Sequence, residues 1–393
     1  MSHAEGCDGE GDTTESMLSD AVREAAAADV AIVFAGLPES YESEGFDRRS
    51  IDMPPGQLRL IEAVAQAQPN VVVVLLNGSA VAMRWADRVK GIVEAWLGGQ
   101  AGGGAIADVI SGRVNPSGKL SETFPVSVEQ TPTFPHFPGR DGHALYGEGV
   151  FVGYRYYDTR CLQPLFPFGF GLSYTRFAYT GVHSSSATFD ATGTASITIE
   201  VSVKNIGTVA GQEVVQLYVH ERTPAVVRPE IELRAFDKLA LEPGEEKTLR
   251  FALSRRDFAY YDAQAGAWAV RSGTFDVRVG GSSRDLPLQV ALEVQGRQQA
   301  KRLTTQSLVR DFKGLGGGDA HYAELVRALG MGELLEAAKE TPDMTAEQIA
   351  AQRKARMATF AFVDEMPVNK VPAFSLGHFT EARLAEMLRR AAG

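Results

Sequence analysis

Two glutamates in the segment 41–48 are the residues of this chain best suited to acid–base chemistry. The segment reads Tyr-Glu-Ser-Glu-Gly-Phe-Asp-Arg, so Glu42 and Glu44 stand two residues apart on a loop that contains Gly45. The loop follows the apolar run 30–35, which is typical of a strand in a parallel sheet covered on both faces. Because ligand sites of α/β proteins lie at the carboxyl ends of such strands, the pattern predicts a proton donor here.

The spacing alone leaves open which of the two glutamates carries the proton. If both side chains point into one pocket, their mutual repulsion keeps one of them protonated. In the alternative interpretation the acidic loop is a solvated rim without chemistry, as most charged runs are.

No other motif indicates a metal or a cofactor. The glycine run 102–104 precedes a helical segment, but it lacks the lysine and serine of a phosphate-binding loop and the glycine order of a dinucleotide fingerprint. The seven histidines are scattered without metal-ligand spacing. We therefore predict that the chain binds neither.

Alternating helices and strands are predicted to position the acidic loop. Apolar residues recur at helical spacing over 14–28, with Asp12 or Thr13 available as the N-cap. Such alternation predicts a mainly parallel sheet with helices on both faces and right-handed crossovers. The remaining predicted elements are a helix over 57–66, strands over 71–76 and 91–96, a helix over 105–110 and ordered loops over 132–174.

The pattern changes near Phe177. Apolar and polar residues then alternate, as in 197–204, and turn residues such as Pro243-Gly244 separate the alternating runs. This predicts an all-β sandwich of about a hundred residues, followed after Val294 by a polar linker and amphipathic helices. The predicted domains are 1–176, 177–296 and 297–393.

Composition and charge limit the class of protein. The 393 residues are 44% hydrophobic and 22% charged, which is typical of a globular chain. The formal net charge of −10 argues against a nucleic-acid or anionic-membrane partner. Cys7 and Cys161 are predicted to be free thiols, and the residues after Met1 lack a secretory pattern, so we predict a cytoplasmic location.

A series of motifs in this chain resembles glycoside hydrolase family 3, the β-glucosidase family. The resemblance is to the carboxy-terminal α/β sandwich domain and to the fibronectin type III-like domain that follows it in that family, and it covers roughly residues 5–293. The motifs that carry it are the acidic loop with Asp47-Arg48, then 53–57 (MPPGQ), 71–78 (VVVVLLNG), 98–102 (GGQAG), 115–120 (NPSGKL), 123–125 (TFP), 152–158 (VGYRYYD) and 168–175 (FGFGLSYT).

The resemblance implies hydrolysis of O-glycosidic bonds in β-linked glucosides with retention of configuration. By position in the family's motif, the residue before the glycine is the acid/base, which is Glu44 here. Phe46 is expected to stack on a sugar face. Asp47 and Arg48 are expected to fix the loop as a pair, with direct contact to substrate as the alternative.

The family places the nucleophilic aspartate on a separate (β/α)8 barrel. Eight βα units need about 250 residues, and only about 13 precede the first predicted helix. We therefore expect the chain to depend on a barrel domain from elsewhere and to be inactive alone. The rival hypotheses are a non-catalytic module that binds carbohydrate or protein, and a structural protein that does neither.

Overall fold

The computed structural model describes most of the chain and divides it into two compact units. The units are Met1–Gln298 and Gln299–Gly393. The residues described are 1–134, 136–263, 265–297, 303–313, 318–337 and 344–391.

The first part of unit 1 is an α/β layer. Its elements are α1 Glu15–Ala26, β1 Ala31–Gly36, α2 Pro55–Ala67, β2 Val71–Leu76, β3 Gly91–Glu94, α3 Gly102–Ile110 and α4 Tyr154–Thr159, with short 3-10 turns at Ala86–Arg88 and Val128–Gln130.

Local sequence explains where the helices begin. The side chain of Thr14 accepts a hydrogen bond from the backbone N–H of Met17, so Thr14 is the N-cap of α1 and the prediction of Asp12 or Thr13 is wrong. Pro55 opens α2, where its missing N–H costs nothing. Helix α3 includes the glycines 102–104, and α4 lies in the region predicted to be loops.

The described strands of this layer form a parallel sheet in the order β1-β2-β3, with Ala31 paired to Val71 and Val72 paired to Gly91. Helices α1 and α2 cover one face of it. The core between helices and sheet contains Ala21, Ala25, Leu60, Ile61, Val64, Val33, Ala35, Val71, Val73 and Leu75.

The opposite face of β1 is open. Ile32 and Phe34 are 42% and 58% exposed, whereas Val33 between them is 7% exposed. Side chains alternate along a strand, so one face of β1 is packed and the other meets solvent. The prediction that this strand is buried on both faces is wrong for the chain as described.

The second part of unit 1 is an antiparallel sandwich. A five-stranded sheet has the order β5-β13-β12-β7-β8, a three-stranded sheet has the order β4-β6-β9, and β10 pairs with β11 in a small ribbon. The elements are β4 Phe177–Ser184, β5 Thr188–Asp190, β6 Ser196–Asn205, β7 Gly211–Glu221, β8 Glu232–Leu241, β9 Glu246–Ser254, α5 Arg255–Phe258, β10 Tyr260–Asp262, β11 Ala267–Ala269, β12 Gly273–Gly280 and β13 Leu288–Gln295.

The alternation seen in the sequence forms the core of this sandwich. Along β6 every second residue is buried, and Ile199, Val201 and Val203 are fully enclosed. They pack against Leu217, Val219 and Val277 in one hydrophobic cluster. The predicted fold class, an α/β domain followed by an all-β sandwich and carboxy-terminal helices, is confirmed.

Polar contacts tie the α/β layer to the sandwich. Nζ of Lys119 lies 3.2 Å from Oε1 of Glu213, and both side chains are largely buried. The guanidinium of Arg284 bonds to the Asp158 carboxylate and donates to the backbone oxygens of Tyr157 and Leu162 at 3.0 and 2.8 Å.

Unit 2 is helical and has its own core. Its buried residues include Phe312, Leu325, Val326, Phe360 and Val368. The side chain of Thr345 accepts from the N–H of Gln348 and the Gln348 side chain accepts in return, a capping box that begins the longest helix. The helices are α6 Gly318–Ala328, α7 Gly332–Ala337, α8 Ala346–Asp364, α9 Val371–Phe374 and α10 Glu381–Ala391, with 3-10 turns at Val309–Phe312 and Val368–Lys370.

Across the described part of the chain, no helix combines the length and the apolar character that crossing a bilayer requires.

Candidate active site

Glu44 lies at the tip of a tight turn that follows β1. Ser43 and Phe46 form an antiparallel bridge, which places Glu44 and Gly45 at the turn between them. The side chain of Glu44 is exposed, and that of Phe46 is 50% exposed. The carboxyl group and the aromatic ring therefore both face outward, where another molecule or domain can reach them.

Glu42 points the other way, toward the turn that follows β2. Its Oε2 accepts a hydrogen bond from the backbone N–H of Gly78 at 2.7 Å, and its Oε1 accepts one from Oγ of Ser79 at 3.2 Å. A Cβ atom at position 78 would lie 3.0 Å from this carboxylate, so glycine permits the close approach. With both oxygens accepting hydrogen bonds from the turn, the Glu42 side chain is suited to a structural role.

Arg48 holds the far end of the loop to the same turn. Its Nη1 donates to Oγ of Ser79 at 2.8 Å and to the backbone oxygen of Ala80 at 3.0 Å. The predicted Asp47–Arg48 pair is not the arrangement seen, since Asp47 is exposed and Arg48 bonds to this turn instead. Burial lowers the pKa of the Arg48 guanidinium, against the opposing effect of nearby Glu42 and Glu122.

The turn is also supported from the sheet side. Asn77 is fully buried, and its Nδ2 donates to the backbone oxygen of Ser79 at 2.9 Å and lies 3.4 Å from Oε2 of Glu94. This burial fits a structural role for Asn77 at the end of β2. The N–H of Ala80 bonds to the carboxylate of Glu122.

Sequence reasoning did not identify the two carboxyl groups behind the turn. Burial raises the pKa of Glu94 to about 7, although it accepts a hydrogen bond from the N–H of Trp96 at 3.0 Å. Burial likewise raises the pKa of Glu122, with Arg48 opposing the shift. The signal for Glu94 was a charged residue inside the otherwise apolar predicted strand 91–96; for Glu122 the sequence offered none.

The loop and turn therefore form a site with two sides. Glu42, Arg48, Asn77 and Glu122 converge on residues 78–80, while Glu44, Phe46 and Asp47 project outward. An outward carboxyl on a fixed loop can exchange a proton with a molecule docked against it. Among the residues described, no group of three or more histidine, cysteine or acidic side chains is arranged to hold a metal ion.

Comparison with known families and proteins gives this geometry a context. Residues 3–174 match the glycosyl hydrolase family 3 C-terminal domain, and residues 213–283 match the fibronectin type III-like domain. Both matches lie inside the predicted domains, whose boundaries at 176 and 296 stay predictions.

Similar proteins extend the match into the helical tail. The chain is 46% identical over 375 residues to thermostable β-glucosidase B of Acetivibrio thermocellus, covering 95% of this chain and 47% of that protein. It is 42% identical over 358 residues to an exo-α-(1→6)-L-arabinopyranosidase of Bifidobacterium breve, covering 91% of this chain and 44% of that protein.

A solved structure is similar in fold as well as in sequence. The GH3 β-glucosidase of Bifidobacterium adolescentis superposes with a TM-score of 0.74 at 42% identity, covering 81% of this chain and 47% of that one. The chain spans about half the length of the curated relatives it matches. On these matches, the chain belongs to glycoside hydrolase family 3, of which it carries the carboxy-terminal α/β domain and the fibronectin type III-like domain.

Proposed function

We propose that this chain supplies the acid/base glutamate, Glu44, to a retaining glycoside hydrolase that acts on β-linked glucosides. The observation that carries the proposal is the placement of Glu44, exposed at the tip of a turn whose flanking residues Glu42 and Arg48 are hydrogen-bonded to the turn that follows β2. The names of similar proteins support the substrate class, since most of them are β-glucosidases.

The proposed reaction has two steps. In the first, a carboxylate nucleophile attacks the anomeric carbon, the bond from that carbon to the glycosidic oxygen breaks, and Glu44 gives its proton to the leaving oxygen. In the second, water attacks the glycosyl ester and Glu44 takes the proton from that water. We propose that the nucleophile belongs to a (β/α)8 barrel domain, and that Phe46, Asp47 and Arg48 lie near the bound sugar.

The test compares the purified chain with a chimera in which this chain replaces the matching part of thermostable β-glucosidase B. We expect no hydrolysis of a nitrophenyl β-glucoside by the chain alone and hydrolysis by the chimera. In the chimera, Glu44→Gln should lower the turnover of cellobiose by roughly a hundredfold to ten-thousandfold, because the leaving alcohol then departs unprotonated.

A chimera that keeps full activity with Glu44→Gln would contradict the assignment. Saturable binding of glucosides without hydrolysis, in both proteins, would favour the rival hypothesis of a carbohydrate-binding module. Neither binding nor hydrolysis would favour a structural role.

A further inference from the structure

We infer that Glu42 and Arg48 are positioning residues, which fix the carboxyl group of Glu44 by binding both ends of its loop to the turn at residues 78–80. The inference rests on the proposed function of Glu44. It assigns to Glu42 a role other than acid/base and to Arg48 a role other than pairing with Asp47.

A continuous chain of hydrogen bonds connects the two ends of the loop. Arg48 donates to Oγ of Ser79 at 2.8 Å, and the same hydroxyl donates to Oε1 of Glu42 at 3.2 Å. The second oxygen of Glu42 is held by the N–H of Gly78 at 2.7 Å. Residues 42 and 48 are therefore joined through one serine, and Glu44 lies on the segment between them.

The turn that receives these bonds is itself fixed. It follows β2, whose Val73, Val74 and Leu75 are fully buried. Asn77 bonds across the turn to the backbone oxygen of Ser79, and the N–H of Ala80 bonds to Glu122. A loop attached to such a turn takes its position from the sheet core.

The charges also favour a positioning role. The Nε and Nη2 atoms of Arg48 are buried without a hydrogen-bond partner, so the guanidinium depends on its Nη1 bonds and on nearby Glu42 and Glu122. Removing the Glu42 carboxylate would free the Gly78 N–H and the Ser79 hydroxyl and would take one of the opposite charges from Arg48. The loop would then lose its fixed position, although Glu44 itself would still be present.

A displaced acid has a specific kinetic signature. A shift of about 1 Å at a catalytic group can cost on the order of a hundredfold in rate. The rate of hydrolysis should drop for substrates whose leaving group needs a proton, such as cellobiose. It should stay nearly unchanged for dinitrophenyl β-glucoside, whose leaving phenolate needs no proton. A general loss of folded enzyme would lower both rates in proportion.

We therefore expect Glu42→Ala in the chimera to lower kcat/KM for cellobiose at least tenfold more than kcat/KM for dinitrophenyl β-glucoside. Ser79→Ala removes the hydroxyl that links Arg48 to Glu42 but keeps the hydrogen bond from the N–H of Gly78 to Glu42. It should have a smaller effect in the same direction. The matched control is Glu39→Ala, which removes an exposed carboxylate from the same loop and should leave the ratio unchanged. Equal losses on both substrates with Glu42→Ala would overturn the inference.

Glu44→Gln separates this inference from the function on which it rests. If Glu44→Gln changes the substrate ratio and Glu42→Ala does not, only the positioning role is wrong. If Glu44→Gln leaves the ratio unchanged, or if the chimera hydrolyses neither substrate, the proposed function is wrong and the inference fails with it.

Hydrogen exchange of the 393-residue chain gives a second test that needs no activity. We expect Glu42→Ala to speed exchange at the amide of Gly78 and across residues 42–48 at least tenfold, with α2 and β2 unchanged. Unchanged protection of this loop would overturn the inference, whatever the kinetics.

Discussion

Glu94 is the residue whose ionisation differs most clearly from its ordinary behaviour near the candidate site. It lies at the end of β3, where burial raises its pKa from 4.5 to about 7. Asn77 beside it has a buried Oδ1 without a hydrogen-bond partner, a position that a protonated carboxyl or an amide could satisfy as a donor.

The raised pKa predicts how stability depends on pH. The folded chain holds the Glu94 proton more tightly than the unfolded chain does. Below about pH 4.5 the carboxyl is protonated in both states and does not lower the free energy of unfolding. The destabilisation from burying the ionised carboxylate grows as the pH rises from there to about 7 and is constant at higher pH. We expect Glu94→Gln to gain on the order of 2 kcal/mol in free energy of unfolding at pH 8 relative to wild type, with allowance for partial exposure.

The measurement is urea unfolding of wild type and Glu94→Gln at pH 4 and pH 8. Glu39→Gln is the control, because Glu39 is exposed and its substitution should leave the difference between the two pH values unchanged. If Glu94→Gln and wild type differ in free energy of unfolding by the same amount at pH 4 and at pH 8, the raised pKa is contradicted.

At the scale of elements, helix α4 fixes the α/β layer against the sandwich. Asp158 of this helix is 8% exposed and bonds to Arg284, in the connection between β12 and β13. Burial raises the pKa of Asp158 even though Arg284 opposes the shift. The helix was not predicted, because a six-residue element leaves too few apolar positions for a helical period to be read.

Removing the contact between Asp158 and Arg284 should destabilise unit 1. Arg284→Met leaves a buried carboxyl without its partner, and we expect a loss of about 3 kcal/mol at pH 8. The loss should be smaller at pH 5, because burial raises the pKa of Asp158 and the variant lacks the charge that opposes this shift. The readout is the midpoint of urea unfolding at the two pH values.

Two further variants test the cause of that loss. The double substitution Asp158→Asn with Arg284→Met should recover part of the stability, because no charge is then left buried. Arg250→Met removes the exposed pair with Glu200 and should cost less than about 1 kcal/mol. If Arg284→Met and Arg250→Met lower the free energy of unfolding equally, the contact between Asp158 and Arg284 contributes little to stability.

At the scale of the whole molecule, the exposed face of strand β1 is the main departure from an ordinary α/β domain. Parallel sheets are normally covered on both faces, yet Ile32, Phe34 and Leu76 are exposed here. Exposed apolar side chains on one face favour association with another surface. The charge and composition of the chain gave no indication of this.

We predict that Phe34→Thr reduces self-association of the purified chain, measured by light scattering, and leaves its melting temperature unchanged. The matched control is Val33→Thr on the opposite face of the same strand, which should lower the melting temperature because it places a hydroxyl in the core. If Phe34→Thr lowers the melting temperature as much as Val33→Thr does, this face is packed in solution.

The sequence by itself determined most of the longer elements and the family of this protein. Strand β2 lies where the run 71–76 predicts it, and the alternation over 197–204 matches β6, because local apolar periodicity decides which face of an element is buried. The family followed from motifs along the first 293 residues, and the matches to family models and similar proteins agree with it.

Only the tertiary structure decided which side chains meet. Glu42 and Gly78 are 36 residues apart in sequence, and Asp158 and Arg284 are 126 apart. Neither pairing has a local signal, because hydrogen bonds between distant segments depend on how the sheet brings strand ends together. For the same reason the sequence could not separate the inward Glu42 from the outward Glu44, whose neighbours along the chain are nearly the same.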